Sequence, residues 1–381
     1  MARKGSLSAV VSGARRWAVG IGGALVIALG AVGLQAPLAA QAAVPDRFGF
    51  AFMNNPTPPG GMVLDTAHQW GSWKTAFPAA WATVDQIAVG RYIVHFPQIG
   101  PAFGPPLGIV HVTAVNPGPV WCQAALWQAV PPNEDVYVQC YRAGGAPVNS
   151  TFTVLFTEST GAPVPAGGDY GYVFARPNGA IVTQYNSTGA ANLVSAGPVG
   201  LWKVGLPGLG LATPAGNIQV TAVDPQQPVR CKVVAWSPGA GGQTIEVGCF
   251  SAAGAPIATS WTLTYQRERS VFGALAPPKS FGYTFPTTAA APPSPINFNS
   301  QGGANTITPA GLGLTFVQFP LIGLLQNHVQ VTAFGNDPNF CQLNTLWGTG
   351  GGTAAVRDVA CYDNTGAAAT TRSFLSYTSR Q

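Results

Sequence analysis

GRYIVHFPQIG at residues 90–100 returns as GLWKVGLPGLG at 200–210 and as GLTFVQFPLIG at 313–323. Gly, Val, an apolar residue, Pro, an aliphatic residue and Gly keep their places in all three, while the residues between them change. The copies are offset by 110 and 113 residues. That is far too long for a solenoid repeat and right for tandem domains.

More of the chain follows the same period. Each unit opens on alternating aromatics: Phe48, Phe50 and Phe52; Tyr170, Tyr172 and Phe174; Phe281, Tyr283 and Phe285. Units two and three share an aromatic-N-S-x-G-x-A-N turn, at Tyr185 to Asn192 and at Phe298 to Asn305. The frame comes next, then V-T-A at Val112, Val220 and Val331. A cysteine follows, with a Trp five or six residues on (Trp127, Trp236, Trp347). A second cysteine comes directly before an aromatic (Tyr141, Phe250, Tyr362).

The periodicity is that of half-buried strands. Tyr92, Val94 and Phe96 lie on one face of the first frame, as do Trp202, Val204 and Leu206 in the second and Thr315, Val317 and Phe319 in the third. This face stays mostly apolar and is expected inside. The face carrying Arg91, Ile93 and His95 varies and is expected toward solvent or a neighbour. In the V-T-A strand, Val110, Val112 and Ala114 are expected inward, with His111 and Thr113 outward. About eight short strands per unit, with turns every 8–12 residues, predict an antiparallel two-sheet sandwich. The expected fold is all-β: three tandem antiparallel β-sandwich domains over 46–158, 169–266 and 280–378. Jelly-roll-like and immunoglobulin-like topologies both fit. The first and last strands of each unit look alike, which favours their pairing at one edge. The Pro/Gly-rich joins, ESTGAPVPAGG at 158–168 and QRERSVFGALAPP at 266–278, read as semi-rigid spacers between beads.

Six cysteines allow fifteen pairings. The repeat selects Cys122 with Cys140, Cys231 with Cys249, and Cys341 with Cys361, each pair closing one hairpin of its own unit. By the loop-entropy account each bridge adds roughly 3 kcal/mol.

Structural disulfides need an oxidising compartment, and the N-terminus supplies an export signal. Arg3, Lys4, Arg15 and Arg16 precede an apolar run from Ala18 to Leu34, and Ala40-Gln41-Ala42 gives a cleavage site, so residues 1–42 read as a signal peptide. Arg15-Arg16 leaves twin-arginine export open beside the general secretory route, and an uncleaved anchor is the alternative. Four of the 18 Lys+Arg lie in this leader and none of the 13 acids does, so the mature chain has 14 basic residues against 13 acids. Such a balance gives no electrostatic footprint for nucleic acid. No membrane contact is expected once the signal is removed.

The pattern of aromatic opening strand, NSxG turn, GxYxVxFPGLG frame, VQVTA, cysteine with a following Trp, and VxVxCF resembles a disulfide-containing β-sandwich repeat domain of exported proteins from high-GC Gram-positive bacteria. Units two and three match it over nearly their whole length. Unit one departs at the NSxG turn and carries an insertion. The resemblance implies secretion and repetition, and it brings no catalytic residues.

Motifs that carry chemistry are sparse. There is no G-x-S-x-G, H-E-x-x-H, C-x-x-C or P-loop. No acidic position recurs across the units, so no paired carboxylates point to glycoside hydrolysis. His95 and His111 are the nearest approach to a metal pair, but two imidazoles are an incomplete zinc site, and both read as exposed strand residues. No catalytic residue, metal or cofactor is expected. The insertion in unit one carries Trp70, Trp73, Phe77 and Trp81. Trp70, Trp73 and Trp81 make a speculative aromatic binding surface, to be weighed against a lid packed on its own sandwich.

The reading is an exported, non-enzymatic structural, adhesive or binding protein, secreted or held at the cell surface. Its expected partners are cell-wall or extracellular polysaccharide or another surface protein. A carbohydrate-binding array and a secreted hydrolase with an inter-domain site are the alternatives.

Overall fold

The first and last strands of each unit pair side by side. In the computed structural model, which describes residues 47–101, 106–159, 168–272, 280–286 and 296–380, Arg47–Met53 runs antiparallel to Thr151–Glu158. Asp169–Ala175 pairs Ser260–Arg267 in the same way, and Phe281–Thr284 pairs Arg372–Ser379. Each closing strand also pairs the V-T-A strand of its own unit: Ile109–Val115, Asn217–Val223 or Asn327–Phe334. These strands form one half-sheet per unit. The other half-sheet holds the frame strand and the two hairpin strands. In unit one they are Arg91–Phe96, Val120–Val130 and Asn133–Arg142.

The apolar clusters join the two half-sheets and run on into a neighbouring unit, as Tyr172, Phe174 and Val223 of unit two do in the cluster of unit one. In unit one, Val110, Val112, Val154 and Phe156 belong to one apolar cluster with Val94, Phe96, Val136 and Val138. The predicted inward face of the frame is inward at Tyr92, Val94, Phe96, Trp202, Val204, Leu206, Val317 and Phe319, which are all buried, while Thr315 is half-buried. The frame's first glycine also has a reason. Gly90, Gly200 and Gly313 have φ of 66°, 77° and 69°. A Cβ there would lie under 3 Å from the carbonyl oxygen of Cys140, Cys249 or Cys361.

The half-sheets do not end at the unit boundary. The V-T-A strand of unit two pairs parallel with the first hairpin strand of unit one, at Val223 opposite Ala124. Unit three pairs with unit two at Phe334 opposite Val233, and unit one with unit three at Val115 opposite Leu343. Three mixed sheets result, of nine, nine and eight strands among the described residues, each built from two units. The chain is all-β as expected, but its sheets are not purely antiparallel, and the units do not stand as separate beads. The third unit returns to the first, so the three seams form a ring with an approximate threefold axis.

The alternation in the V-T-A strand concealed this. His111 and Thr113, read as outward, are buried, as are Gln219, Thr221, Gln330 and Thr332. Their face is polar because it meets other polar groups at the axis, and a pattern rule cannot tell that from contact with water.

The disulfides are Cys122–Cys140, Cys231–Cys249 and Cys341–Cys361, each joining residues directly opposite in its hairpin. They fit an oxidising compartment. No helix among the described residues is long and apolar enough to cross a membrane. The expected export leader and cleavage site lie outside the described residues, as do 160–167 and 273–278 of the joins. What is described of the second join is no spacer. Val271 and Phe272 are fully buried, with Phe272 stacked on Phe48 and Phe50 of unit one at 4.9 and 4.8 Å.

Candidate functional site

The seams meet at the axis, and one residue type builds each of them. The V-T-A threonine of every unit crosses to a neighbour. Thr113 donates to Gln330 Oε1 at 2.5 Å and accepts from the Val331 amide at 3.1 Å. Thr332 bonds Gln219 Oε1 at 2.9 Å and the Val220 amide at 2.9 Å. Thr221 shares a bond with His111 Nδ1 at 3.1 Å and accepts from the Val112 amide at 3.3 Å. The same two contacts thus recur three times in cyclic order. His111 bonds Thr264 through Nε2, and His328 bonds Thr153 and Gln330. Burial pushes both imidazoles down to about 3, so they are neutral hydrogen-bonding groups of the axis. His95 and His111 do not face each other: their antiparallel partners are Thr83 and Asp135 for His95, and Leu155 for His111.

The residue after the first cysteine ties down the neighbour's loop. Gln123 accepts from the Val229 amide at 2.8 Å and donates to the carbonyls of Asp224 and Gln227. Gln342 treats Val120, Asn116 and Gly118 in the same way. Unit two has Lys232 at this place, and it reaches Asp337 Oδ1 at 2.7 Å. Further along the hairpin the recurrent Trp packs on the last aromatic of the neighbour's opening strand. Trp127 meets Phe174 at 4.6 Å, Trp236 meets Phe285 at 6.3 Å, and Trp347 meets Phe52 at 5.9 Å. These tryptophans are seam residues, and a repeat alone could not show which unit they touch.

The residue before the first cysteine differs in every unit, and the three meet near the axis. Trp121 and Phe340 lie 5.5 Å apart. The Arg230 guanidinium sits over both rings, 4.8 Å from Trp121 and 5.0 Å from Phe340. Arg230 is 6% exposed, and burial lowers it to about 10. Sequence reasoning passed over this position; its signal is one repeat position filled by W, R and F beside invariant cysteines.

His95 lies on the frame strand of unit one between two acids absent from the other units. Its Nδ1 is 2.7 Å from Asp135 and its Nε2 3.1 Å from Asp85. The expectation of an isolated, exposed imidazole is corrected here: hairpin pairing brings Asp135 directly opposite. The two carboxylates raise the imidazole, against its partial burial. Both ring nitrogens are engaged by carboxylates, so this arrangement favours the imidazolium over the neutral ring and leaves no free nitrogen to take a proton from a nucleophile. Nearby Glu134 is 3% exposed, and burial raises it to about 8.

The tryptophans of the insertion separate in space. Trp73 is 2% exposed, packs on Phe96 and donates to the Ala80 carbonyl, so it is core. Trp70 and Trp81 are half-buried. Lys74 Nζ lies 3.0 Å from the Trp81 ring centre, and Arg380 lies 4.7 Å from that of Trp70. The turn asparagines are structural: Asn186 and Asn299 bond Asn192 and Asn305 and the carbonyls of Pro207 and Pro320 in the frame.

Solvent meets apolar side chains at one repeated place. The residue before the frame's first glycine is Val89, Val199 or Leu312, and these are 59%, 68% and 67% exposed. Each tip is strapped to its own disulfide by a 2.8 Å bond from the amide of Cys140, Cys249 or Cys361 to the carbonyl of that glycine.

Fold and site define an all-β, disulfide-braced body closed by three cyclic seams. No family model matches the chain, and no curated protein and no solved structure matches it.

Proposed function

We propose that this is an exported, non-enzymatic binding or structural protein, which engages a repetitive extracellular surface such as cell-wall polymer through three equivalent tips. The observation that carries the reading is the exposure of Val89, Val199 and Leu312 at one repeat position. Single exposed aliphatics are ordinary. Three at the same place, each fixed beside a disulfide, give a rigid trivalent display, in which linkage multiplies weak contacts into avidity. The disulfides and the basic, apolar N-terminus support export. The polysaccharide reading through Trp70, Trp73 and Trp81 loses support, because Trp73 is core and cations cover the other two rings.

The test is co-sedimentation of the mature protein with purified cell walls of a high-GC Gram-positive bacterium. Wild type should be retained, and the triple variant Val89→Ser, Val199→Ser, Leu312→Ser should stay in solution. Equal retention of the two, or no retention of wild type, overturns the proposal.

A further inference from the structure

A cavity of about 50 Å³ lies where the seams meet the disulfide end of the axis, and Arg230, Lys232, Trp121, Phe340, Thr221 and Thr332 are among the residues that line it. It is small: a buried water needs roughly 10–15 Å³ on this measure, so it admits a few waters or one small ion. Its walls bring in two buried cations. Lys232 is neutralised by Asp337 at 2.7 Å. Arg230 is not neutralised in this way. Its Nε donates to the Pro338 carbonyl at 3.1 Å, while Nη1 and Nη2 are buried and bond no protein acceptor. The acid whose charge acts on it, Asp363, is engaged in its own turn by Thr365 and Ala367.

A buried guanidinium with two unused donor nitrogens is costly. The rings of Trp121 and Phe340 offset part of this through their faces, but a ring face cannot accept the in-plane N–H bonds. Those bonds call for an anion or a strong acceptor in the plane of the fork. The threonine hydroxyls in the wall already serve the seams, and the remaining wall is largely Val, Ala and disulfide. Two unused donor nitrogens beside a space this size suit a small monovalent anion better than phosphate or an organic acid.

We propose that the axis cavity is a binding site for a small monovalent anion of the halide class, held by Arg230 Nη1 and Nη2 between Trp121 and Phe340. An anion there contacts a residue of unit two enclosed by units one and three. It therefore binds only the assembled ring and stabilises it by linkage. The inference does not rest on the adhesive reading.

Two experiments test it on the mature protein. In thermal unfolding at matched ionic strength, replacing sodium gluconate by sodium chloride should raise the midpoint of wild type and leave that of Arg230→Met unmoved. Equal midpoints for wild type in the two salts overturn the proposal, as does an equal chloride effect in the variant. Should Arg230→Met fail to fold, crystals of wild type grown in sodium bromide still decide. An anomalous bromide peak within hydrogen-bond reach of Nη1 or Nη2 supports the site, and ordered water alone at that place refutes it.

Discussion

Thr113 and Gln330 stand 217 positions apart in the chain, and their side chains meet at 2.5 Å. The bond joins unit one to unit three and closes the ring that Thr332 and Thr221 continue. Replacing Thr113 by Val keeps the shape but leaves Gln330 Oε1 and the Val331 amide without this partner. Stability should fall by about 1–3 kcal/mol for each buried group so stranded. Thr221→Val and Thr332→Val should cost similar amounts, because the contacts repeat. Denaturant unfolding measures this, and a loss at one threonine alone would contradict the cyclic seam.

Unit two by itself lacks partners for two inner strands. Residues 169–266 expressed alone leave the edges of Asn217–Val223 and Val229–Gly239 open, where Ala124 of unit one and Phe334 of unit three now pair. Open edges recruit further strands. The fragment should form homotrimers or remain unfolded. A folded monomer in light scattering and circular dichroism would restore the picture of independent beads.

The clamp of Asp85, His95 and Asp135 makes stability depend on pH. The imidazole is raised above its ordinary 6.5, so its stabilisation is complete below pH 6.5 and is lost as pH rises through the higher folded value. The Asp85 carboxyl is lowered from 3.8, first by the Gly61 amide and then by His95. Its share is present above 3.8 and disappears as pH falls through the folded value. The clamp is therefore strongest between about pH 4 and 6.5. His95→Gln should flatten the loss on the alkaline side of that window; an unchanged profile of Tm against pH would remove His95 from this role.

Glu134 acts in the opposite direction. A carboxyl raised from 4.5 to about 8 destabilises the fold progressively as pH climbs from 4.5 to 8, because the unfolded chain releases that proton more readily. Glu134→Gln should raise Tm at pH 9 and make little difference at pH 4. A variant less stable than wild type at pH 9 would show that the carboxylate is charged and well partnered.

Much of the local structure was readable from residue spacing. The inward set of the frame, Tyr92, Val94 and Phe96, follows from period two. The hairpin disulfides follow from the position of Cys122 and Cys140 in a repeated unit. The seams were not readable, because they join residues whose spacing carries no period. Thr113 looks like a solvent-facing threonine until Gln330 arrives beside it, and Phe272 looks like linker until Phe48 and Phe50 stack on it. Of the candidate surface, Trp73 was misplaced because a cluster of aromatics in an insertion fits a packed lid as well as a flat platform. His95 was read without its acids because Asp135 comes 40 residues later, opposite it only through strand pairing.

A linear array of stacked repeats can lose or gain a copy and still offer every interior unit two neighbours. A closed triangle cannot. Each V-T-A strand here needs a hairpin strand from the preceding unit, and the first unit finds its partner only because the last returns to it. Deleting one unit breaks two joints and leaves a gap no remaining strand can span, while a fourth copy has no seat. Copy number in this chain is therefore set by geometry.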